Sequence, residues 1–170
     1  MADDSAKIYF IYINSSTFVR TDIKILEQRF NLIKTYDFNQ SGKSEIINLF
    51  RSAWRAIITI PKVDIVYSFF VGYHTLFPFL LAKILGKKVV CALGGTECHF
   101  FPEIDYGNYR KKLYAFFTRR SLELADLILP VDETLIKHRV TYIDAVYPNQ
   151  GIVAFNKTLK AKIEAVNCGF

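Results

Sequence analysis

The segment Leu93-Gly94-Gly95-Thr96-Glu97-Cys98-His99 gathers the groups of this chain best suited to chemistry. Two adjacent glycines let a backbone approach a ligand closely or adopt positive φ. Exposed N–H groups in such a turn bind hydroxyls or phosphate. Glu97 can orient a hydroxyl or move a proton, and His99 can donate or accept a proton near neutral pH. Glu97 and His99 are therefore the candidate acid–base pair, with Gly94, Gly95 and Thr96 as ligand-binding positions. A plainer alternative stands beside this one: a turn in which Glu97 caps the next segment and His99 only packs.

Two phosphate motifs fail. Gly42-Lys43-Ser44 looks like the end of a P-loop, but Asp37 stands where the first glycine is required. The loop after the first strand, Asn14-Ser15-Ser16-Thr17-Phe18, has no glycine, so a dinucleotide fingerprint is absent.

The elements that must hold these residues follow from the periodicity. Residues 7–13, 31–38, 63–69, 87–93 and 126–131 read as strands, with a last short strand at 160–166. Helices are predicted over 21–30, 42–60, 75–85 and 107–125, with a further helical stretch from Asp132 and an ambiguous region at 141–155. In the second helix Ile46, Ile47, Phe50, Ala53, Trp54, Ile57 and Ile58 recur at helical spacing as a core-facing stripe, and Ser41 can cap its start. Several strands are near-continuous apolar runs, the signature of a parallel sheet covered on both faces. The alternation predicts an α/β fold: one Rossmann-like, doubly wound, mostly parallel sheet in three αβα layers. In an order of 3-2-1-4-5-6 the switch point lies between strands one and four. The loops flanking that crevice carry Ser15, Ser16, Thr17 and Phe18 on one side and residues 94–99 on the other. Asp132 also ends a strand. It is most simply a helix N-cap, with a ligand role as the alternative.

Composition narrows the partners. The 170 residues are 51% hydrophobic and 22% charged, enough for a core and ordinary for a globular domain. The net charge of +6 favours anionic partners. Cys91, Cys98 and Cys168 form no CxxC pair, so neither a disulfide framework nor a metal site is expected, and a cytoplasmic location fits. Residues 65–82 form an uncharged run if His74 is neutral, long enough to span a membrane. Gly72, Pro78 and the β-rich start favour a buried strand and helix instead. On the fourth helix Lys112, Phe116, Arg119 and Arg120 share one face. That face suits an anionic membrane surface, with peripheral attachment, or is simply a solvated face. Leu113, Phe117 and Leu124 are expected to pack on the sheet. One basic helix without a motif gives no case for nucleic acid. A domain ending soon after a strand, without a closing helix, is expected to be part of a longer protein.

The run VDIVYSFFVGYHTLFPFLLAKILGKKVVCALGGTE, followed by LELADLILPVDETL and KIEAVNCGF, resembles in order and spacing the amino-terminal domain of family 4-type glycosyltransferases of the GT-B fold. FVRTDIKILEQRF resembles the first helix of some members. The resemblance implies an acceptor-side domain. A nucleotide-sugar donor would sit mainly on a carboxy-terminal domain outside residues 1–170, with a glycan or lipid-linked acceptor on this one and no tightly bound cofactor. It implies that Gly94, Gly95, Thr96 and Glu97 face the interdomain cleft, with Ser15–Phe18 facing it too. It also places His74 among the acceptor contacts. The chain departs from the family in lacking a Gly-rich first loop and in having Leu93 where a histidine usually precedes the glycine. The other hypothesis is a non-catalytic Rossmann-like module working with a separate partner chain.

Overall fold

The apolar runs of the sequence lie side by side as parallel strands. The computed structural model describes residues 5–34, 44–139, 141–142, 145–146 and 149–166. Its main elements are β1 (Lys7–Ile11), α1 (Thr17–Glu27), β2 (Asn31–Lys34), α2 (Glu45–Thr59), β3 (Ile65–Phe69), α3 (Tyr73–Ile84), β4 (Lys88–Leu93), α4 (Lys112–Leu124) and β5 (Leu127–Pro130). A short hairpin of β6 (Thr141–Tyr142) and β7 (Ala145–Val146), a single turn α5 (Ile152–Phe155) and an edge strand β8 (Lys162–Ile163) follow. Helices on both faces of the sheet make the three-layer Rossmann-like arrangement that the alternation implies.

The strand order is β2-β1-β3-β4-β5-β8, all parallel, with Tyr9 opposite both Ile33 and Val66. This corrects the expected order. The neighbour of β1 is β3, so the switch point lies between β1 and β3, and β4 stands one strand further out. The reason is burial. β3 is apolar and buried along nearly its whole length, so it belongs inside the sheet, whereas β2 is exposed at both ends and suits an edge.

Alternate side chains of each strand face opposite layers. Tyr9, Ile11, Val66, Val89 and Cys91 pack under α2, α3 and α4 with Ala56, Phe79 and Leu122. Ile8, Phe10, Tyr67 and Phe69 pack on the other face with Val19 of α1. Asp22 of α1 accepts a short hydrogen bond from the Tyr67 hydroxyl across that layer.

Several boundaries shift. α1 begins at Thr17, earlier than the predicted residue 21. Ser44 caps α2 by accepting from the Ile47 N–H at 3.5 Å, while Ser41 and the P-loop-like Gly42-Lys43 lie outside the described residues. α4 begins at Lys112 because residues 96–110 form successive 3₁₀ turns. The helical stretch after Asp132 shrinks to one 3₁₀ turn. The uncharged run 65–82 divides into β3 and most of α3, and no helix among the described residues is long and apolar enough to cross a membrane.

Two helices face differently from the sequence pattern. α2 buries Asn48, Ser52 and Ala56, while Ile47, Phe50, Trp54, Ile57 and Ile58 stand outward. α4 buries Ala115, Thr118, Ser121 and Leu122; of the three residues expected to pack on the sheet, Leu124 packs at the edge of the core, Phe117 is half-buried and Leu113 is 65% exposed. In both cases the small residues face the core. They let α3 lie close to its neighbours, and close packing of this kind decides the orientation over the width of the apolar stripe.

Candidate functional site

A cavity of about 260 Å³ opens at the carboxyl ends of β1, β3 and β4. Ile13 and Asn14 line it from the loop after β1. Phe70, Val71 and Gly72 line it from the loop after β3, and Tyr73 and His74 from the start of α3. Thr96 and Glu97 come from the turn after β4, and Asn108 and Tyr114 close the far wall.

Local backbone explains how these residues meet. Phe70 has φ +69°, a left-handed conformation that is uncommon for a non-glycine residue. Its N–H donates to the Ala92 carbonyl at 3.0 Å, and the Ser68 hydroxyl donates to its carbonyl at 2.7 Å. The turn so fixed swings Val71 and Gly72 over the cavity. Gly94 is required here, because a Cβ would lie 2.5 Å from the Phe70 ring. Gly95, at φ +130°, then turns the chain so that Glu97 points back under the β3 loop. Asn108 holds the same loop from the other side, donating to the Val71 carbonyl at 3.3 Å and to Thr118 Oγ1 at 3.0 Å. The Thr75 hydroxyl accepts from the Gly72 N–H at 3.1 Å and lies 3.0 Å from Ser121 Oγ, which ties the start of α3 to α4.

Glu97 is 1% exposed. One oxygen accepts from the Val71 N–H at 3.0 Å, and the other has no hydrogen-bond partner among the described residues. Burial raises its pKa from an ordinary 4.5 to about 7. The backbone N–H groups of Glu97, Val71, Gly95 and Gly94 oppose that rise. Glu97 is therefore a carboxyl that can give or take a proton near neutrality. The thiols of Cys91 and Cys98 lie buried beside it, pushed upward by burial first and then by the Glu97 charge. They are inert as nucleophiles.

His74 is also buried, and neither ring nitrogen makes a well-formed hydrogen bond. Burial lowers its pKa to about 4, with the Phe70 backbone opposing, so the ring is neutral at physiological pH. Asn14 Oδ1 is a fourth buried polar atom without a partner beside the same cavity. Tyr73 packs edge-on against His74 and stacks on Tyr114, giving the cavity an aromatic rim.

The sequence-predicted residues divide accordingly. Thr96, Glu97 and His74 line the cavity; Gly94 and Gly95 shape it. His99 does not line it. Its Nδ1 lies 2.7 Å from the Gly95 carbonyl, and its ring stacks on Phe101 and packs tilted against Tyr106, which braces the turn. Ser15 and Ser16 precede α1, and Thr17 and Phe18 begin it, half-buried or exposed outside the cavity wall. Ile13 and Asn14 take that position. Asp132 is exposed and caps the next turn, accepting from the Thr134 N–H at 2.8 Å. Lys112, Phe116, Arg119 and Arg120 remain on the outer surface of α4, with Arg120 paired to Glu123 at 2.8 Å and Arg119 over the Tyr109 ring. Val71, Tyr73, Asn108 and Tyr114 are site residues that motif reasoning misses. The Tyr73-His74 pair beside Gly72 is the one local signal that points to them. Among the described residues no His, Cys, Asp and Glu cluster has metal-holding geometry.

A cavity beside the β1–β3 switch point, at the carboxyl ends of parallel strands, is the usual ligand position of an open α/β sheet. The domain has a Rossmann-like fold. Among solved structures it is similar to a protein assigned as a UDP-N-acetylglucosamine 2-epimerase from Listeria monocytogenes, with a TM-score of 0.51 and 10% identity. That match covers 76% of this chain and 39% of the other, so the chain spans about two fifths of that structure's length. No family model and no curated sequence matches the chain.

Proposed function

We propose that this domain is the acceptor-side half of a glycosyltransferase that moves a sugar from a nucleotide-sugar to a glycan or lipid-linked acceptor. The observation that carries the proposal is the buried Glu97 carboxyl, with one oxygen unpartnered, in a cavity at the carboxyl ends of β1, β3 and β4. A sugar presents hydroxyls that such a carboxyl, Asn14 and His74 satisfy, and the rim of Tyr73 and Tyr114 offers an apolar ring face. The fold likeness to a sugar-nucleotide epimerase and the resemblance in the sequence both support a sugar substrate. Glu97 would take the proton of the attacking hydroxyl, and the second domain would hold the donor and close the cleft. His74, neutral and buried, orients rather than titrates.

The epimerase likeness favours a second reading, in which the substrate is the nucleotide-sugar alone. A transfer assay on the complete gene product separates the two. Nucleotide release that depends on an added acceptor supports transfer. Acceptor-independent inversion at C2 of the sugar supports epimerisation and rejects transfer. Glu97→Gln is expected to lower acceptor-dependent turnover by roughly 10²-fold or more, the usual range for a positioned acid–base group. Unchanged turnover would remove Glu97 from the chemistry.

A further inference from the structure

The polar atoms left without partners at the cleft cavity are of one kind. Asn14 Oδ1 and, on the ionised carboxyl, Glu97 Oε2 are acceptors. The His74 ring is neutral and holds one proton, so one of its two nitrogens is an acceptor as well. The donors around them are already engaged. The Val71 N–H goes to the other Glu97 oxygen, and the Gly72 N–H goes to the Thr75 hydroxyl. The Asn108 side-chain amide goes to the Val71 carbonyl and to Thr118. Among the described residues that line the cavity, Glu97 is the only carboxyl, and there is no lysine or arginine. The exposed Lys111 lies on the rim, over the Tyr114 ring and 5.6 Å from its centroid. The cavity wall therefore lacks hydrogen-bond donors and positive charge together.

We propose that the ligand of this cavity is an amino sugar, whose protonated amine meets Glu97, Asn14 and His74. This rests on the sugar reading above and narrows it to acceptors that carry a free amine. An ammonium offers three N–H donors and no acceptor, which matches the three unpartnered acceptors. A hydroxyl offers one donor and adds lone pairs of its own, for which the engaged donors leave little. A phosphate or carboxylate would add acceptors and negative charge beside Glu97, where like charge is disfavoured. The rim of Tyr73 and Tyr114 presents aromatic rings, whose faces attract a cation. Glu97 keeps its role in transfer. Oε2 has two lone pairs, so it can hold the ammonium and the hydroxyl on the neighbouring ring carbon together. The adjacent cation keeps the carboxyl ionised at neutral pH, the form that accepts the hydroxyl proton.

Calorimetric titration of the chain at pH 7 tests this with glucosamine, galactosamine and 6-amino-6-deoxyglucose. Each is compared with its neutral hexose, and the first two also with their N-acetyl forms. At least one amino sugar is expected to bind roughly ten-fold or more tightly than its neutral counterpart, because a charge-assisted hydrogen bond is about twice as strong as a neutral one. N-acetylation removes the charge and adds a carbonyl acceptor, so it is expected to abolish the advantage. Glu97→Gln is expected to abolish it too. The advantage should also fade by pH 5, where Glu97 holds its proton. The other titratable groups around Glu97 are Cys91, Cys98, His74 and Tyr109, and all are uncharged between pH 5 and 7. His99, outside the lining, cancels in the comparison with Glu97→Gln. The N-acetyl and pH comparisons use the parent protein and do not depend on the variant folding. Amino sugars that bind no better than their neutral hexoses overturn the proposal, and hexoses that still bind leave the sugar reading standing. An advantage that persists in Glu97→Gln or at pH 5 overturns it as well, because the amine then lies elsewhere. Cyclohexylamine separates the two readings. Should it bind as tightly as the amino sugars while the hexoses do not bind, the ammonium site stands and the sugar reading fails. No binding by any amine overturns the ammonium site, and transfer is then judged by acceptor-dependent nucleotide release alone.

Discussion

Replacing Glu97 with glutamine tests the electrostatics of the cleft through stability alone. Folding raises the Glu97 pKa from 4.5 to about 7. Between those values the folded chain holds a proton that the unfolded chain has released, so stability falls as pH rises through that window. The full gap corresponds to about 3 kcal/mol. Glutamine has the shape of the protonated acid, and its carbonyl can accept from the Val71 N–H as Glu97 does, but it does not ionise. The variant and the parent should therefore melt alike near pH 4.5. Above pH 7 the variant should be the more stable by about 3 kcal/mol, a difference of roughly 6–12 °C in Tm. His74 works in the opposite direction. Its pKa falls from 6.5 to about 4, so the unfolded chain binds the extra proton and stability falls as pH drops through that window. Over most of the range the two slopes offset each other in the parent. The difference between variant and parent removes the His74 contribution, which is why it is the quantity to plot. Thermal melts of both proteins from pH 4 to pH 8 provide it. A difference that stays flat across pH 4.5 to 7 would refute the burial argument for Glu97.

Three other outcomes follow from the same geometry. In ¹H–¹⁵N spectra the His74 ring should remain neutral down to about pH 4, while a ring that titrates near 6.5 would place it in solvent. Gly94→Ala should cost about 1–3 kcal/mol, because its methyl would meet the Phe70 ring at 2.5 Å; denaturant unfolding that shows no loss would mean the β3 loop yields freely. Phe79→Ala, at a fully buried site, should cost about 3–5 kcal/mol by the same measurement, whereas Phe50→Ser on the exposed face of α2 should cost under about 0.5 kcal/mol. Equal costs would mean that α2 is turned the other way.

The strands were legible because apolar runs of β-branched and aromatic residues such as IVYSF and KVVCAL carry their own signal. Their order was not. Both β3 and β4 are apolar runs that lie inside the sheet, so which of them stands beside β1 is a property of the whole sheet. The helix faces misled for a related reason. Periodicity shows that α2 has an apolar side, and the apolar side of an isolated helix is its natural core side. Here Asn48, Ser52 and Ala56 pack inward instead, which leaves Phe50 and Trp54 for the surface. The cleft was half legible. The turn of Gly94, Gly95 and Glu97 stands out in sequence. Asn14, Val71, Asn108 and Tyr114 reach the same cavity through the positive φ of Phe70 and the succession of 3₁₀ turns before α4, neither of which leaves a sequence motif. His99 has a spacing from Gly95 that is compatible both with catalysis and with bracing the turn, and its ring lies against Phe101 and Tyr106 outside the cavity lining.

The buried polar atoms at this site bear on its purpose. A buried donor or acceptor without a partner costs about 1–3 kcal/mol. Asn14 Oδ1, one Glu97 oxygen and both His74 ring nitrogens are such atoms, and all belong to residues that line one cavity. Phe70 adds a left-handed backbone conformation at the same place. A wall evolved for stability alone would take apolar residues here, as the neighbouring core does with Val66, Val89 and Leu93. Polar groups and strain concentrated where three parallel strands end are what a site for a hydroxyl-rich ligand requires, since such a ligand supplies the missing partners. If that is their role, a bound sugar should raise the melting temperature of the parent above pH 7 more than that of Glu97→Gln. The ionised carboxylate has the most to gain from a hydroxyl donor, and an equal rise in both proteins would place the sugar away from Glu97.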